Sequence, residues 1–249
     1  MKMTTFTPSQ IDDLHTAIER FTFPHQSVWQ RVGRLNVDRT ITKARQIGAT
    51  AFFAREALLD ALTTGRNQIF YAPTTGGAQQ ARAYMQAAAW QVGVNLSTNA
   101  AGHVLLQDAQ ISFLGEKSHC AAYSGNVYFD EFPWFKNPRA ALLIAKSMSM
   151  HKQHRRTLYG SASDNHAAFR VWRGDFSRRR NPLPALFMPG SSFGADGVWR
   201  QSLTLEQAAA QGCNLHDIEE IKREFTPEEY QQLFECDWSQ AINNKGMAA

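Results

Sequence analysis

The residues best suited to do chemistry form one short segment, Lys43 to Thr50, which reads Lys-Ala-Arg-Gln-Ile-Gly-Ala-Thr. In the common phosphate-binding loop, G-x-x-x-x-G-K-[ST], backbone amides surround the phosphates, a lysine reaches them, and a Ser or Thr hydroxyl binds Mg²⁺. Gly48 and Thr50 match that pattern, but Ala49 replaces the usual lysine and Lys43 stands at the front. The flexible lysine stem can approach from either side of the loop. We therefore predict that ATP is bound by Lys43, Ala44, Arg45, Gln46, Ile47, Gly48, Ala49 and Thr50.

The flanks of this segment fit a phosphate-binding loop. Residues 38–42 form a short segment with β-branched side chains, as expected at the end of a buried strand. After Thr50, apolar residues recur at helical spacing until Thr63-Thr64-Gly65. The predicted helix would begin at the phosphates, with the positive end of its dipole directed at them.

An apolar strand that ends in acid supplies the second requirement of an ATPase. Residues 127–131 read Val-Tyr-Phe-Asp-Glu. We predict that Asp130 holds Mg²⁺ with Thr50, and that Glu131 is the general base for the water that attacks the γ-phosphate. The distance from Lys43 along the chain suits two neighbouring strand ends of a doubly wound sheet. The alternative is an ordinary strand end that faces water.

Three weaker signals add candidate residues. Gln26 carries an amide that can hydrogen-bond both the N6 donor and the N7 acceptor of adenine. Ser161, which follows a predicted strand, is suited to contact the γ-phosphate or its water. Arg45 could neutralise charge that develops as the phosphate bond breaks, in its own subunit or a neighbour. The alternatives are a plain loop glutamine, a turn serine, and an Arg45–Glu56 ion pair.

Taken together, these residues resemble a known family, the ATPase domain of the large terminase subunit of tailed phages. The resemblance is closest to temperate contractile-tailed phages and extends over residues 15–236. It rests on four motifs: Gln26, the loop with the residues that follow it to Leu58, the acidic strand, and Gly160-Ser161-Ala162-Ser163. Terminases place the loop lysine early, so Lys43 supports the resemblance.

The resemblance implies ATP hydrolysis that drives double-stranded DNA into a procapsid in the host cytoplasm. It also implies a homo-oligomeric ring at the portal protein and a small terminase subunit that selects the DNA. Large subunits of this kind continue into a nuclease domain, but this chain ends at Ala249, so no nuclease activity is expected. Two alternatives are a helicase-like DNA-dependent ATPase and a non-catalytic or satellite-encoded protein that binds packaging partners.

Bulk composition narrows the class of protein. The chain has 249 residues, 43% of them hydrophobic, which excludes disorder. Its net charge of +4 is compatible with a polyanionic partner but would not by itself suggest DNA. The three cysteines are scattered and contain no metal-binding pair, so a reducing cytoplasm and no metal other than Mg²⁺ are expected. No apolar run is long enough to span a membrane.

Strand and helix patterns alternate along most of the chain, which predicts an α/β P-loop NTPase fold of the RecA/ASCE type, a mostly parallel sheet flanked by helices. We expect an ATPase domain at residues 1–200, a small helical lid or linker at 201–240, and a flexible tail at 241–249. Residues 169–189 are rich in aromatic residues, Arg and Pro, and predict an extended surface segment. Its run Arg178-Arg179-Arg180 is either a DNA contact or a solvated loop.

Overall fold

A computed structural model of the chain describes residues 3–177 and 191–244. Within these ranges, strands and helices alternate. The strands are β1 (Arg39–Lys43), β2 (Gln68–Ala72), β3 (Val104–Leu105), β4 (Gln110–Gly115), β5 (Asn126–Asp130), β6 (Arg156–Gly160), β7 (Ser191–Phe193) and β8 (Trp199–Leu203). The α-helices are α1 (Pro8–Arg20), α2 (Pro24–Arg34), α3 (Ala49–Thr64), α4 (Thr75–Trp90), α5 (Pro138–Met148), α6 (His166–Arg173), α7 (Leu205–Ala210), α8 (Ile218–Glu224), α9 (Pro227–Phe234) and α10 (Ser239–Asn243). A short 3₁₀ helix spans Phe132–Trp134.

The chain forms two compact units, and the first contains residues 3–22, 48–130 and 145–155. Its strands lie in the order β3-β4-β2-β5, with β2 parallel to both β4 and β5 and β3 antiparallel to β4. Helix α4 packs on β2 and β4, and α3 packs on α4. The core contains stacked rings of Phe70 and Tyr128, whose centroids are 4.9 Å apart.

The second unit contains residues 23–47, 131–144, 156–177 and 191–244. Its strands lie in the order β6-β1-β8-β7, with β1 parallel to both β6 and β8 and β7 antiparallel to β8. Trp29 and Trp199 are buried in its core, and the Trp29 indole nitrogen donates to the Gln201 side-chain oxygen at 2.6 Å. The buried Arg39 donates to the Trp29 carbonyl and to the Thr157 hydroxyl. These oxygens supply hydrogen-bond acceptors for its buried guanidinium group.

Three of the parallel strands are buried along their whole length. Strands β1, β2 and β5 are buried at all five positions, as strands covered on both faces should be. The predicted α/β fold with a mostly parallel sheet is therefore confirmed. Strands β3 and β4 pair as an antiparallel hairpin at one edge of the first unit.

Helix ends follow the local signals in the sequence. Gly65 adopts φ 69° and ends α3. Thr204 and Thr226 cap α7 and α9 through reciprocal side-chain bonds with the residues three positions on.

The segment after residue 164 differs from the prediction. Residues 166–173 form helix α6 rather than an extended stretch, because Asn165 caps the first amides and Gly174, at φ 90°, ends the helix. Pro24 opens helix α2, since Pro is favoured in the first helical turn. Gln26 therefore lies in a helix and not in the plain loop that was the alternative. The rest of the predicted surface segment, residues 178–189, lies outside the described residues.

The C-terminal part of the chain is helical, with α7 to α10 between residues 205 and 243. Strand β8 continues across the predicted boundary between residues 200 and 201. Helix α10 includes residues 241–243 of the predicted tail, and Ala241 is fully buried. The helical part thus begins directly after a core strand.

Candidate functional site

The end of strand β1 places Lys43 against Glu131. Lys43 is the last residue of the strand and is only 5% exposed. Its Nζ donates to Glu131 Oε1 at 2.8 Å. Two of the predicted catalytic residues, 88 positions apart, are therefore in direct contact. A lysine ammonium has three donors, so this bond leaves capacity for phosphate oxygens.

Glu131 has an unusual backbone conformation. It follows β5 and adopts φ 48° and ψ 43°, the left-handed region that non-glycine residues rarely occupy. The bend directs its side chain to Ser161, whose amide donates to Glu131 Oε2 at 3.3 Å. Gly160 permits this approach, because a Cβ there would lie 2.6 Å from Pro133 Cδ. Each carboxylate oxygen thus has its own partner.

Arg45 lies in the same cluster, although its side chain is exposed. Its Nε donates to Ser161 Oγ at 3.4 Å, and its guanidinium lies 5.2 Å from the centroid of the Trp134 ring. The Trp134 indole nitrogen also donates to Ser161 Oγ, at 3.1 Å. The predicted alternative partner, Glu56, instead accepts hydrogen bonds from Tyr128 and Arg155.

The middle of the predicted loop is held by backbone bonds. The Ala44 amide donates to the Leu203 carbonyl at 2.8 Å, and the Arg45 amide donates to the Leu233 carbonyl at 3.1 Å. Gln46 is exposed, has φ 58°, and its carbonyl lies 3.1 Å from His216 Nε2. The loop conformation therefore depends on β8 and on the C-terminal helical segment.

Gln26, the adenine candidate, is buried within helix α2. Its side-chain oxygen accepts from the Phe23 amide at 3.1 Å, and its nitrogen lies 3.5 Å from the Ile47 carbonyl. The neighbouring His25 Nε2 lies 3.4 Å from the same carbonyl. The amide of Gln26 therefore supports the loop, and its adenine role stays a prediction.

The remaining predicted residues lie in the first unit. Gly48, at φ 79°, immediately precedes α3, whose first residues are Ala49 and Thr50. The first amides of a helix have no partner within the helix, so they suit phosphate oxygens. Thr50 Oγ1 donates to Asp130 Oδ2 at 3.3 Å, and Asp130 is buried. The hydroxyl and carboxylate chosen as Mg²⁺ ligands are thus neighbours.

Their chemistry fits Mg²⁺, which prefers oxygen ligands and usually takes one or two protein side chains together with phosphate and water. Within residues 3–177 and 191–244, no three His, Cys, Asp or Glu side chains cluster to hold a metal ion.

Sequence reasoning missed Trp134 and His216. Trp134 follows the acidic strand by four residues, and an exposed aromatic residue so close to candidate acids was the available signal. His216 gave no local signal, because its contact with the Gln46 carbonyl depends on tertiary structure. The candidate DNA-binding run Arg178-Arg179-Arg180 lies outside the described residues.

In the part of the chain that is described, every helix is too short or too polar to span a membrane.

The chain is similar to terminase proteins of bacteriophages. Residues 40–246 match the family model described as "Terminase large subunit, T4likevirus-type, N-terminal". The chain is 34% identical over 250 residues to "Terminase, ATPase subunit" of Escherichia phage P2, with 95% of the chain and 42% of that protein covered. It therefore spans less than half of that relative.

Two solved structures share the fold. One is the large terminase from a thermophilic bacteriophage in complex with ATP-gamma-S, with a TM-score of 0.58 at 12% identity over 81% of this chain and 47% of that one. The other is the large terminase ATPase domain of Thermus phage P74-26, with a TM-score of 0.57 at 12% identity over 81% and 88%. At this identity the likeness establishes the fold alone.

Proposed function

The chain belongs to the terminase large-subunit family, in its N-terminal region, and we propose that it hydrolyses ATP to drive double-stranded viral DNA into a procapsid. The observation that carries this proposal is the 2.8 Å contact between Lys43 and Glu131. Lys43 ends a buried strand and contacts Glu131, so a cation suited to phosphate and a candidate general base lie together. Phosphoryl transfer depends on such positioning and charge stabilisation. The family match and the name of the phage P2 relative support the same conclusion.

In this proposal the segment from Lys43 to Thr50 binds the triphosphate. The start of α3 offers amides and a positive dipole to the phosphate oxygens. Lys43 neutralises phosphate charge while one of its donors stays on Glu131. Gln26 reads the adenine, and Ser161 supports Glu131 and contacts the γ-phosphate or its water.

Glu131 acts as the general base that orients the attacking water. Its oxygens are held separately by Lys43 and the Ser161 amide, so the carboxylate has a defined direction before reaction. Arg45 stabilises the charge that develops on the transferred phosphoryl group.

Thr50 and Asp130 would hold Mg²⁺, since a hydroxyl and a carboxylate are oxygen ligands and lie 3.3 Å apart. When bound, this ion neutralises charge on the β- and γ-phosphates. Phosphate oxygens and water would complete the coordination of the ion.

The partners proposed are double-stranded DNA, a small terminase subunit and the portal protein, in a homo-oligomeric ring in the host cytoplasm. The basis is family membership, together with the packaging role implied by a terminase ATPase subunit. We propose that the segment 201–240 is a lid or linker, because its Leu233 carbonyl accepts from the Arg45 amide in the loop. Residues 1–200 would form the ATPase domain and 241–249 a tail.

Phosphate release tests this function directly. We expect Lys43→Ala and Glu131→Gln each to lower kcat about 100-fold, the scale of a missing general base. The assay uses the full chain with Mg²⁺ and ATP, with and without double-stranded DNA. Lys117→Ala and Glu228→Gln are matched controls, because both residues are exposed and lie outside the cluster.

Equal rates in the wild type and both site variants would remove the ATPase assignment. ATP binding without turnover, even with DNA and a small terminase subunit, would favour the non-catalytic alternative. Strand separation on a forked substrate would favour the helicase-like one.

A further inference from the structure

Trp134 is a large aromatic residue that remains 42% exposed beside the candidate catalytic residues. It ends the 3₁₀ helix that directly follows Glu131. The two preceding residues, Phe132 and Pro133, are buried and anchor this turn. The indole is therefore held close to Glu131 without being part of the core.

The indole makes two specific contacts. Its face lies 5.2 Å from the Arg45 guanidinium carbon, within the range of a cation–π interaction. Its N–H donates to Ser161 Oγ at 3.1 Å. One side chain thus contacts both the arginine of the loop and the serine that supports the catalytic acid.

Ser161 connects these contacts to Glu131. The fully buried Ser161 Oγ accepts from Trp134 and, at 3.4 Å, from Arg45 Nε. A hydroxyl has two lone pairs and one proton, so two incoming donors leave its proton for an acceptor. The nearest such acceptor described is Glu131 Oε2, at 3.5 Å. Arg45, Trp134, Ser161 and Glu131 therefore form one connected cluster.

We propose that Trp134 is a positioning residue that holds the Arg45 guanidinium beside Glu131 for ATP hydrolysis. This inference rests on the proposed ATPase function. An exposed arginine samples many rotamers, and confining it to one costs side-chain entropy. The ring face and the shared Ser161 oxygen confine Arg45 before the substrate arrives. Trp134 does not touch the substrate in this account, so its effect reaches the reaction only through Arg45.

The test measures kcat and KM for ATP in Trp134 variants of the full chain. We expect Trp134→Leu to lower kcat about tenfold and to change KM less than twofold. Trp134→Phe keeps an aromatic face but loses the N–H donor, so we expect a decrease of about threefold. Trp90→Leu is the matched control, because Trp90 is 64% exposed at the end of α4, and its kcat should equal that of the wild type.

A double-mutant cycle separates positioning from a general structural effect. If Trp134 acts through Arg45, then Arg45→Ala and Arg45→Ala/Trp134→Leu should have the same kcat. Thermal unfolding of each variant checks that the fold is intact, and Trp134→Phe serves if Trp134→Leu does not fold.

Two results would overturn the inference while leaving the ATPase assignment intact. One is wild-type kcat in Trp134→Leu. The other is the same tenfold decrease on either Arg45 background. Absence of ATP hydrolysis by the wild type would instead remove the proposed function, and this inference with it.

Discussion

Glu131 has a strained backbone conformation in the left-handed region. A non-glycine residue in the left-handed region costs on the order of 1 kcal/mol or more and persists only where surrounding contacts hold it. Here those contacts are the Lys43 ammonium and the Ser161 amide. A strand that continued straight would point the Glu131 side chain elsewhere, so the bend and the contacts depend on each other.

His25 is a buried histidine whose protonation links the stability of the fold to pH. The imidazole is fully buried beside the Ile47 carbonyl. Burial lowers the pKa of His25 to about 4, although the hydrogen bond to the Ile47 carbonyl opposes the shift. The folded protein therefore favours neutral His25, whereas the unfolded chain binds a proton near pH 6.5.

We expect His25 to stabilise the fold fully above pH 6.5 and to lose that contribution as the pH falls towards 4, because between these values only the unfolded state is protonated. Urea unfolding at pH 7 and pH 5 measures this contribution to the free energy of unfolding. The free energy of unfolding should fall by about 2 kcal/mol more in the wild type than in His25→Gln, which cannot gain a proton. Equal decreases in the two proteins would show that His25 is protonated in the folded state.

Helix α3, which begins directly after Gly48, carries a network of charged and polar side chains. Asp60 accepts from Gln68, Asn126 and Arg66, and Glu56 accepts from Tyr128 and Arg155. Although burial opposes its charge, the neighbouring Tyr128, Glu56 and Asp60 raise the pKa of Arg155 above its ordinary value. The network ties α3 to β2, to β5 and to the residue before β6.

Arg155→Met should lower the free energy of unfolding by about 3 kcal/mol, because it removes a buried cation that lies 3.3 Å from Glu56 and 3.6 Å from Asp60, two partly buried carboxylates. Arg173→Met is the matched control, since Arg173 is exposed and pairs with Asp175 at the surface. Arg173→Met should lower the free energy of unfolding by about 1 kcal/mol or less. Urea denaturation at pH 7 compares the two, and equal decreases would mean that the Arg155 network contributes no more than a surface pair.

At the scale of the whole molecule, a net charge of +4 gives only a modest general attraction to DNA. Any strong binding must therefore come from a local concentration of positive charge. Arg178-Arg179-Arg180 is the densest such run in the sequence, and its role in DNA contact rests on sequence alone.

Replacing these three arginines with alanine should weaken binding to double-stranded DNA at every sequence. The slope of log K against log salt concentration should become shallower by about 0.9 for each phosphate that is no longer neutralised. The matched control removes the same charge from exposed helix ends, as Arg20→Ala/Arg31→Ala/Arg34→Ala. An equal change of slope in both variants would indicate an effect of general charge rather than a DNA contact at residues 178–180.

Much of this architecture could be predicted from the sequence, because strands and helices with buried faces leave periodic patterns and helix caps use few residue types. The α3 stop at Gly65 and the α9 start at Thr226 are examples. Helix α6 escaped prediction, because its aromatic residues and arginines suggested an extended segment. Buried packing and the Asn165 cap outweighed those signals.

The sequence alone determined the fold class and the identities of the candidate residues, since both depend on local patterns and side-chain chemistry. Only the tertiary structure decided which residues meet. The contact of Lys43 with Glu131 joins two residues that are 88 positions apart in the chain. The same holds for Trp134 beside Arg45 and His216 beside Gln46, because no local pattern encodes a contact across such separations.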